Sequence, residues 1–104
     1  MQKPTKHVYV VVREDMAPPY RAVQACHAGI SAARAGLIKD EPNLVVLTTC
    51  DERSLVDLAN QLKSLGVRHR RFIEADLGDE LTAICTEPLE NGRRRVFRDF
   101  KLLE

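Results

Sequence analysis

The sequence predicts an α/β fold of three layers, α/β/α, in which a mixed sheet of about four strands lies between helices. Three observations predict it. β-branched and aromatic runs of strand length alternate with segments whose apolar residues recur at helical spacing. The last two of these runs are separated only by a short turn-rich link. The chain of 104 residues suits one hydrophobic core and is too short for two, so we expect a single domain over residues 1–104 in the order β-α-β-α-β-β.

The first half of the chain contains two predicted strands with a helix between them. Residues 7–13 are apolar on both faces, which is typical of a strand that helices cover on both sides. Pro19 suits the first position of a helix, where its missing N–H costs nothing, so a helix is predicted over about residues 19–35 with Gly36 as its stop. Residues 43–48 are the second predicted strand.

The second half continues with a helix and two strands. Thr49-Cys50-Asp51-Glu52 has the pattern of a capping box, and the leucines that follow recur at helical spacing as far as Gly66. Residues 70–75 and 81–86 are predicted strands, and the turn at 76–79 favours an antiparallel hairpin.

The C-terminal segment is predicted to close the core. Residues 87–92 are expected to form a loop, and residues 96–103 a final strand or short helix. We expect the apolar side chains of this last segment to dock on the core: Val96, Phe97, Phe100, Leu102 and Leu103.

Composition restricts the possible functions. The formal net charge is +1, so any affinity for nucleic acid must be local, in the cationic runs 68–71 or 93–101. The longest apolar runs, 8–12 and 44–47, are far shorter than the roughly 20 residues that span a bilayer, and no signal-peptide pattern opens the chain. We therefore expect a cytoplasmic protein with no membrane partner.

The three cysteines predict neither a disulfide framework nor a metal site, because they are odd in number and widely spaced. We expect Cys26, Cys50 and Cys85 to be reduced, buried thiols, and we expect no metal ion.

The first predicted helix carries two stripes. The expected core stripe consists of Val23, Cys26, Ile30, Ala33 and Leu37. A neighbouring line of hydrogen-bonding side chains consists of Tyr20, Gln24, His27 and Ser31, and the remaining sector is made of small residues that allow another backbone to approach closely. Gln24 and His27 could position a carbonyl group and a water molecule. The alternative is that these two side chains only satisfy buried backbone groups or lie half exposed.

Several short motifs, in order along the chain, resemble the type II peptidyl-tRNA hydrolase family. Gln24-Ala25-Cys26-His27-Ala28 on the first helix resembles the family's Gln-Cys-Ala-His-Ala, and Phe72-Ile73-Glu74-Ala75 resembles its strand that ends in Asp-Ala-Gly. Ala83-Ile84 followed by Pro88 is similar to its Ala-Ile-Gly-Pro, and the likeness extends from about residue 7 to residue 103.

The resemblance implies a homodimer that cleaves the ester between a peptide and tRNA, without metal or other cofactor. It implies that Gln24 and His27 orient water and the carbonyl, with Glu74 as a base or an orienting carboxylate. Peptidyl-tRNA would then be held by Tyr20, Arg21, Arg13 and Ser31, with the arginines of residues 68–71 as further phosphate contacts.

Three departures from the family pattern leave a second hypothesis open. Tyr20 replaces a lysine, Glu74 replaces an aspartate, and the shorter segment 76–80 replaces the family's Gly-Arg-Thr and Gly-Ser turns. The chain is therefore either an ester hydrolase for peptidyl-tRNA or a related acyl-tRNA, or a dimeric binding or regulatory domain without activity. A nucleophilic Cys26 beside His27 is disfavoured, because adjacent helical residues point about 100° apart.

Overall fold

The computed structural model describes residues 6–103, which form a mixed α/β fold, the class that the sequence predicts. Four long strands, two helices, two 3-10 turns and two two-residue strands follow one another along this part of the chain. In order, these elements are β1 (Lys6–Arg13), α1 (Pro18–Arg34), β2 (Asn43–Thr49), α2 (Glu52–Ser64), β3 (His69–Glu74), a 3-10 turn (Ala75–Leu77), β4 (Glu80–Thr86), β5 (Leu89–Glu90), a second 3-10 turn (Asn91–Phe97) and β6 (Lys101–Leu102).

The sheet has six strands in place of the expected four or so. Its order is β3-β4-β1-β2-β6, and β5 pairs with the start of β1. β1 and β2 are parallel, whereas β4 is antiparallel to both β1 and β3, so the predicted hairpin at residues 76–79 is present. The predicted loop over 87–92 is wrong, because β5 forms within it by pairing Leu89 with His7.

Alternating side chains of β1 supply two separate clusters of buried residues. Tyr9 and Val11 belong to a cluster with the α2 leucines Leu55, Leu58 and Leu62. Val8, Val10 and Val12 belong to the other, with the small α1 residues Ala25, Ala28 and Ala32. Because side chains of a strand alternate between faces, residues 8–12 of β1 contribute to both clusters.

The expected core stripe of α1 is wrong. Val23 and Ile30 are 49% and 58% exposed, and Cys26 and Ala33 are exposed too, whereas Leu37, beyond the end of the helix, is buried. The small sector of α1 packs on the sheet instead, through Ala25, Ala28 and Ala32. A helix with alanines on its inner face can lie close to the strands, and the larger apolar side chains then point outward.

The start of α2 differs from the predicted capping box. Asp51, not Thr49, is the N-cap, and its Oδ1 accepts a hydrogen bond from the Ser54 backbone N–H at 3.0 Å. Thr49 is the last residue of β2. Glu52 Oε2 accepts from the Leu81 backbone N–H at 2.8 Å, so this carboxylate joins α2 to β4 instead of closing its own helix turn.

The C-terminal segment docks on the core with one exception. Phe97 stacks on Tyr9 with ring centroids 4.3 Å apart, and Val96 and Phe100 pack around the same cluster. Leu103 packs against the cluster beneath α1, but Leu102 is 68% exposed, so its expected docking is wrong.

The expectation of three buried thiols holds for one cysteine. Cys85 is buried, and burial raises the pKa of its thiol to about 12. Cys26 and Cys50 are exposed. Cys26 is exposed because α1 turns its alanine face, not its predicted apolar stripe, to the sheet. No helix within residues 6–103 combines the length and the apolar character needed to cross a membrane.

Candidate functional site

Helix α1 lies along β3, and successive residues of one helix line contact alternate residues of the strand. Side chains two apart in a strand share a face, and residues three or four apart in a helix share a line, so the two elements can meet repeatedly. The three pairs are Gln24–Glu74, His27–Phe72 and Ser31–Arg70. The predicted polar line of α1 therefore faces β3, except for Tyr20, which is 58% exposed at the start of the helix.

Gln24 is the buried centre of this contact. Its side chain is 1% exposed, and its Nε2 donates to Glu74 Oε2 at 2.9 Å. Its Oε1 accepts from the Thr82 hydroxyl at 2.7 Å. Because both ends of the amide are engaged, Gln24 has a single orientation, in which its N–H groups point to the carboxylate. Gln24 thus acts on the site through Glu74.

Thr82 reaches Gln24 because β4 has a bulge at this residue. Phe72 pairs with Ala83 and Ile73 pairs with Leu81, so Thr82 is left without a partner on β3. Bulges redirect side chains and are frequent beside functional sites. Thr82 is not among the site residues that the sequence predicts, and its signal in the sequence is a hydroxyl residue between Leu81 and Ala83 in an apolar strand.

Glu74 is held in its anionic form. It receives the hydrogen bond from Gln24, and its Oε1 accepts from the Asp76 backbone N–H at 3.2 Å. The hydrogen bond from Gln24 is the main reason that the pKa of the Glu74 carboxyl lies below its ordinary value. The bond from the Asp76 backbone and the nearby His27 lower this pKa further. A carboxylate has about four lone-pair sites, so Glu74 can still accept a hydrogen bond from a water molecule.

His27 lies one turn beyond Gln24 and is exposed. Its ring stacks on Phe72 with centroids 4.8 Å apart and an interplanar angle of 1°. The stack fixes the plane of the imidazole while leaving the side chain accessible to solvent. A neutral imidazole can donate one hydrogen bond and accept another. Glu74 and His27 together therefore offer an anionic acceptor and an imidazole at one surface.

The two predicted arginine contacts are engaged within the protein. Arg13 is 9% exposed and donates to both carboxylate oxygens of Asp15, at 2.8 and 2.9 Å, and to Glu80 Oε1 at 2.7 Å. The hydrogen bonds to Asp15, and to a smaller extent the one to Glu80, raise the pKa of Arg13. The hydrogen bonds from Arg13 in turn lower the pKa of Asp15. Arg21 donates through Nε to the Met16 carbonyl oxygen at 2.8 Å. Both guanidinium groups thus shape the loop between β1 and α1.

The side chains of residues 6–103 include no group of three or more His, Cys, Asp or Glu that could hold a metal ion. The side chains that the fold brings together at the candidate site are Gln24, His27, Glu74 and Thr82.

Comparison with known proteins supports the fold. No protein-family model matches the chain, and no curated protein matches its sequence. A solved structure of a protein of unknown function from Agrobacterium tumefaciens is similar, with a TM-score of 0.71 and 14% sequence identity. The match covers 93% of this chain and 96% of that one. At this identity the likeness shows the fold alone.

Proposed function

We propose that this protein is a hydrolase that cleaves the ester linking a peptide, or another blocked acyl group, to tRNA. The observation that carries the proposal is the buried Gln24, which holds an anionic Glu74 beside the exposed His27. The motif resemblance to type II peptidyl-tRNA hydrolases supplies the substrate class. The proposal includes the family's three-layer α/β/α arrangement, in which β1 to β4 are the four principal strands.

The proposed reaction needs an oriented water molecule and a proton acceptor. Glu74 accepts a hydrogen bond from the water, and its lowered pKa suits an orienting carboxylate better than a strong base. Neutral His27 takes the proton as the water oxygen attacks the carbonyl carbon. The bond from that carbon to the ribose oxygen then breaks, and the proton passes from His27 to the leaving ribose oxygen, which becomes a hydroxyl. Gln24 and Thr82 keep the carboxylate in place and do not touch the substrate.

The substrate contacts in this proposal are Tyr20 and Ser31 at the two ends of the helix line, with Arg21 beside the first. Arg13 is better explained as a structural residue, because two carboxylates already engage its guanidinium. A tRNA substrate implies a cytoplasmic location, which belongs to the proposal.

A homodimer is also part of the proposal. The outer side of α1 exposes the apolar side chains of Val23 and Ile30, at 49% and 58%. Exposed apolar side chains grouped on one helix favour contact with another apolar surface. The formal net charge of +1 gives two copies little electrostatic repulsion, so a two-fold contact through α1 is reasonable.

A second candidate function is a binding or regulatory domain on the same scaffold. It is favoured by Tyr20, which takes the place of the family's lysine and is 58% exposed without any charge to offer an oxyanion. Loss of one electrostatic donor commonly reduces rates by about a hundredfold to a thousandfold. This candidate predicts tRNA binding without turnover.

The deciding experiment is hydrolysis of N-blocked aminoacyl-tRNA by the purified protein in the presence of a chelator. We expect release of the acyl group by the wild type and little release by the variants His27→Ala, Glu74→Gln and Gln24→Ala. Gln61→Ala is the matched control, since Gln61 is an exposed glutamine on α2. Full activity in His27→Ala and Glu74→Gln would refute the assignment, and bound tRNA without cleavage would favour the binding domain.

A further inference from the structure

Two adjoining cavities of about 530 Å³ each lie beside the candidate site. The first is bounded by α1 and β3 and includes His27, Ser31 and Phe72 in its lining. The second continues to the segment that follows α2, and both are lined by Ala35 and Arg70. Together they form a continuous depression, which we call the basic groove. It begins at Phe72 and follows β3 to His69, over roughly 10 Å at 3.3 Å per residue.

The lining of the basic groove is cationic. Arg34 and Arg70 line the first cavity, Lys63 and Arg68 join Arg70 in the second, and neither lining contains a carboxylate. The cavity between β2 and α2 has the opposite character, because Glu14, Asp57 and Asp99 line it with a single lysine. The excess of positive charge is therefore a local property of this groove in a protein that is almost neutral overall.

Neutralisation of helix dipoles does not account for these four cations. Arg34 and Lys63 lie in the last turns of α1 and α2, where each helix end carries roughly half a negative charge. Two helix ends therefore offset about one of the four positive charges. Arg68 and Arg70 lie outside any helix, in the approach to β3 and in β3 itself. Arg68 also lies beside Glu87, whose carboxylate accepts a hydrogen bond from the Arg68 backbone N–H at 2.8 Å. About two positive charges are therefore left for an anion.

Arg70 is oriented and still has free donors. Its Nε donates to Ser31 Oγ at 3.2 Å, which leaves both terminal nitrogens of the guanidinium for a ligand. Within residues 6–103, no carboxylate lies within 4.0 Å of the nitrogens of Arg34 or Arg70. A guanidinium without a carboxylate partner presents the paired N–H geometry that binds a phosphate group.

An aromatic surface lies at the end of the basic groove nearest Glu74. His27 stacks one face on Phe72, and as an exposed side chain it can present its other face to a ligand. Unpaired nucleobases stack on aromatic side chains of this kind, including histidine, whereas paired bases in a duplex offer no free face. An acidic peptide would use the cations but not the stacked ring.

We propose that the basic groove binds the phosphates of single-stranded RNA, with Arg34 and Arg70 as the principal contacts and an unpaired base stacked on His27. The RNA is identified as the unpaired end of an acyl-tRNA on the basis of the proposed function, and the inference rests on that function in this respect. This binding mode fixes the direction of the RNA strand along the basic groove. The terminal nucleotide lies beside Glu74, and the preceding phosphates contact Arg70, Arg68 and Lys63.

The test measures binding of a fluorescently labelled short oligocytidine RNA to the full chain by anisotropy, over a range of salt concentrations. Arg34→Ala/Arg70→Ala should weaken binding by about tenfold and reduce the slope of log affinity against log salt by about 1.4, or 0.7 for each phosphate contact. The matched control is Arg94→Ala/Arg98→Ala, which removes the same charge from two exposed arginines of the C-terminal segment. The control should retain the affinity and the slope of the wild type.

His27 is tested separately in the same assay. His27→Ala should weaken binding with an unchanged salt slope, and His27→Phe, which keeps an aromatic face, should bind as the wild type does. Equal losses of affinity in Arg34→Ala/Arg70→Ala and Arg94→Ala/Arg98→Ala would overturn the proposal, because the RNA would then be attracted by the overall positive charge and not by a specific groove. Duplex RNA that binds as tightly, or polyglutamate that competes equally well, would also overturn it.

The outcome can be separated from that of the proposed function. RNA binding that depends on Arg34 and Arg70, in a protein that hydrolyses no acyl-tRNA, would support the groove and refute the hydrolase. Hydrolysis with a KM unchanged in Arg34→Ala/Arg70→Ala would support the hydrolase and refute the groove.

Discussion

Gln24 Nε2 donates to Glu74 Oε2 across 2.9 Å and joins two residues that are 50 positions apart in the chain. The bond connects the buried side of α1 to the last residue of β3. It orients the carboxylate and lowers its pKa, and it depends in turn on Thr82, which fixes the Gln24 amide. The state of Glu74 is therefore set by side chains from three elements of the fold.

The lowered pKa of Glu74 predicts a pH-dependent contribution to stability. Because the folded-state pKa lies below the ordinary value of 4.5, the ionised carboxylate stabilises the fold above that pH. The contribution is lost as the pH falls through the folded-state pKa. Urea unfolding from about pH 7 to pH 3 should show a smaller acid-induced loss of stability in Glu74→Gln than in the wild type. Glu41→Gln, at an exposed position, should follow the wild type, and identical curves for all three proteins would contradict the prediction.

Replacement of Thr82 by valine should destabilise the protein. Thr82→Val keeps the shape of the side chain and leaves Gln24 Oε1 buried without its donor, which typically costs about 1–3 kcal/mol. Thr82→Ser keeps the hydroxyl and should lose less. The free energy of unfolding from denaturant titration measures both, and equal stability of wild type and Thr82→Val would show that the hydroxyl is not needed.

Arg13→Lys should lower stability although it conserves charge. A lysine has one point charge and cannot reproduce the bidentate contact with Asp15 together with the bond to Glu80. The two carboxylate side chains are 40% and 43% exposed, so solvent screening limits the loss to about 1–2 kcal/mol. Arg53→Lys, at an exposed position of α2, is the matched control and should be neutral in the same unfolding assay.

Two of the three thiols should react rapidly with a thiol reagent in the folded protein. Cys26 and Cys50 are exposed, whereas burial of Cys85 raises the pKa of its thiol to about 12 and suppresses the thiolate that reacts. Titration with a chromogenic disulfide should give a fast phase of two equivalents, and the third should appear on unfolding. A fast phase of three equivalents would mean that the β4 strand opens readily.

The proposed homodimer should depend on the outer face of α1. Val23→Asp places a charge on an apolar side chain that is 49% exposed, and it should yield monomers where the wild type forms dimers. Val56→Asp makes the same change at a 39% exposed valine on α2 and should leave the dimer intact. Sedimentation velocity distinguishes the two species, and a monomeric wild type would remove this part of the proposal.

The sequence by itself determined the order of the long strands and helices, because their periodicity and turn residues are local. The β-branched and aromatic run at residues 7–13, the glycine after each helix and the turn at 76–79 all predicted elements that the structure contains. The line through Gln24, His27 and Ser31 was also visible from spacing. These features depend on residues that are close in the chain, so one sequence is sufficient to recognise them.

Only the tertiary structure decided which side of α1 faces the sheet and what the polar line contacts. The apolar stripe through Val23 and Ile30 predicted the wrong core face, because the alanine side allows closer packing and brings Gln24 to its partners. Thr82 joined the site only through a bulge between paired strands, and β5 and β6 are two-residue strands that exist only by pairing with β1 and β2. Each of these outcomes depends on contacts between distant parts of the chain, which local periodicity does not contain.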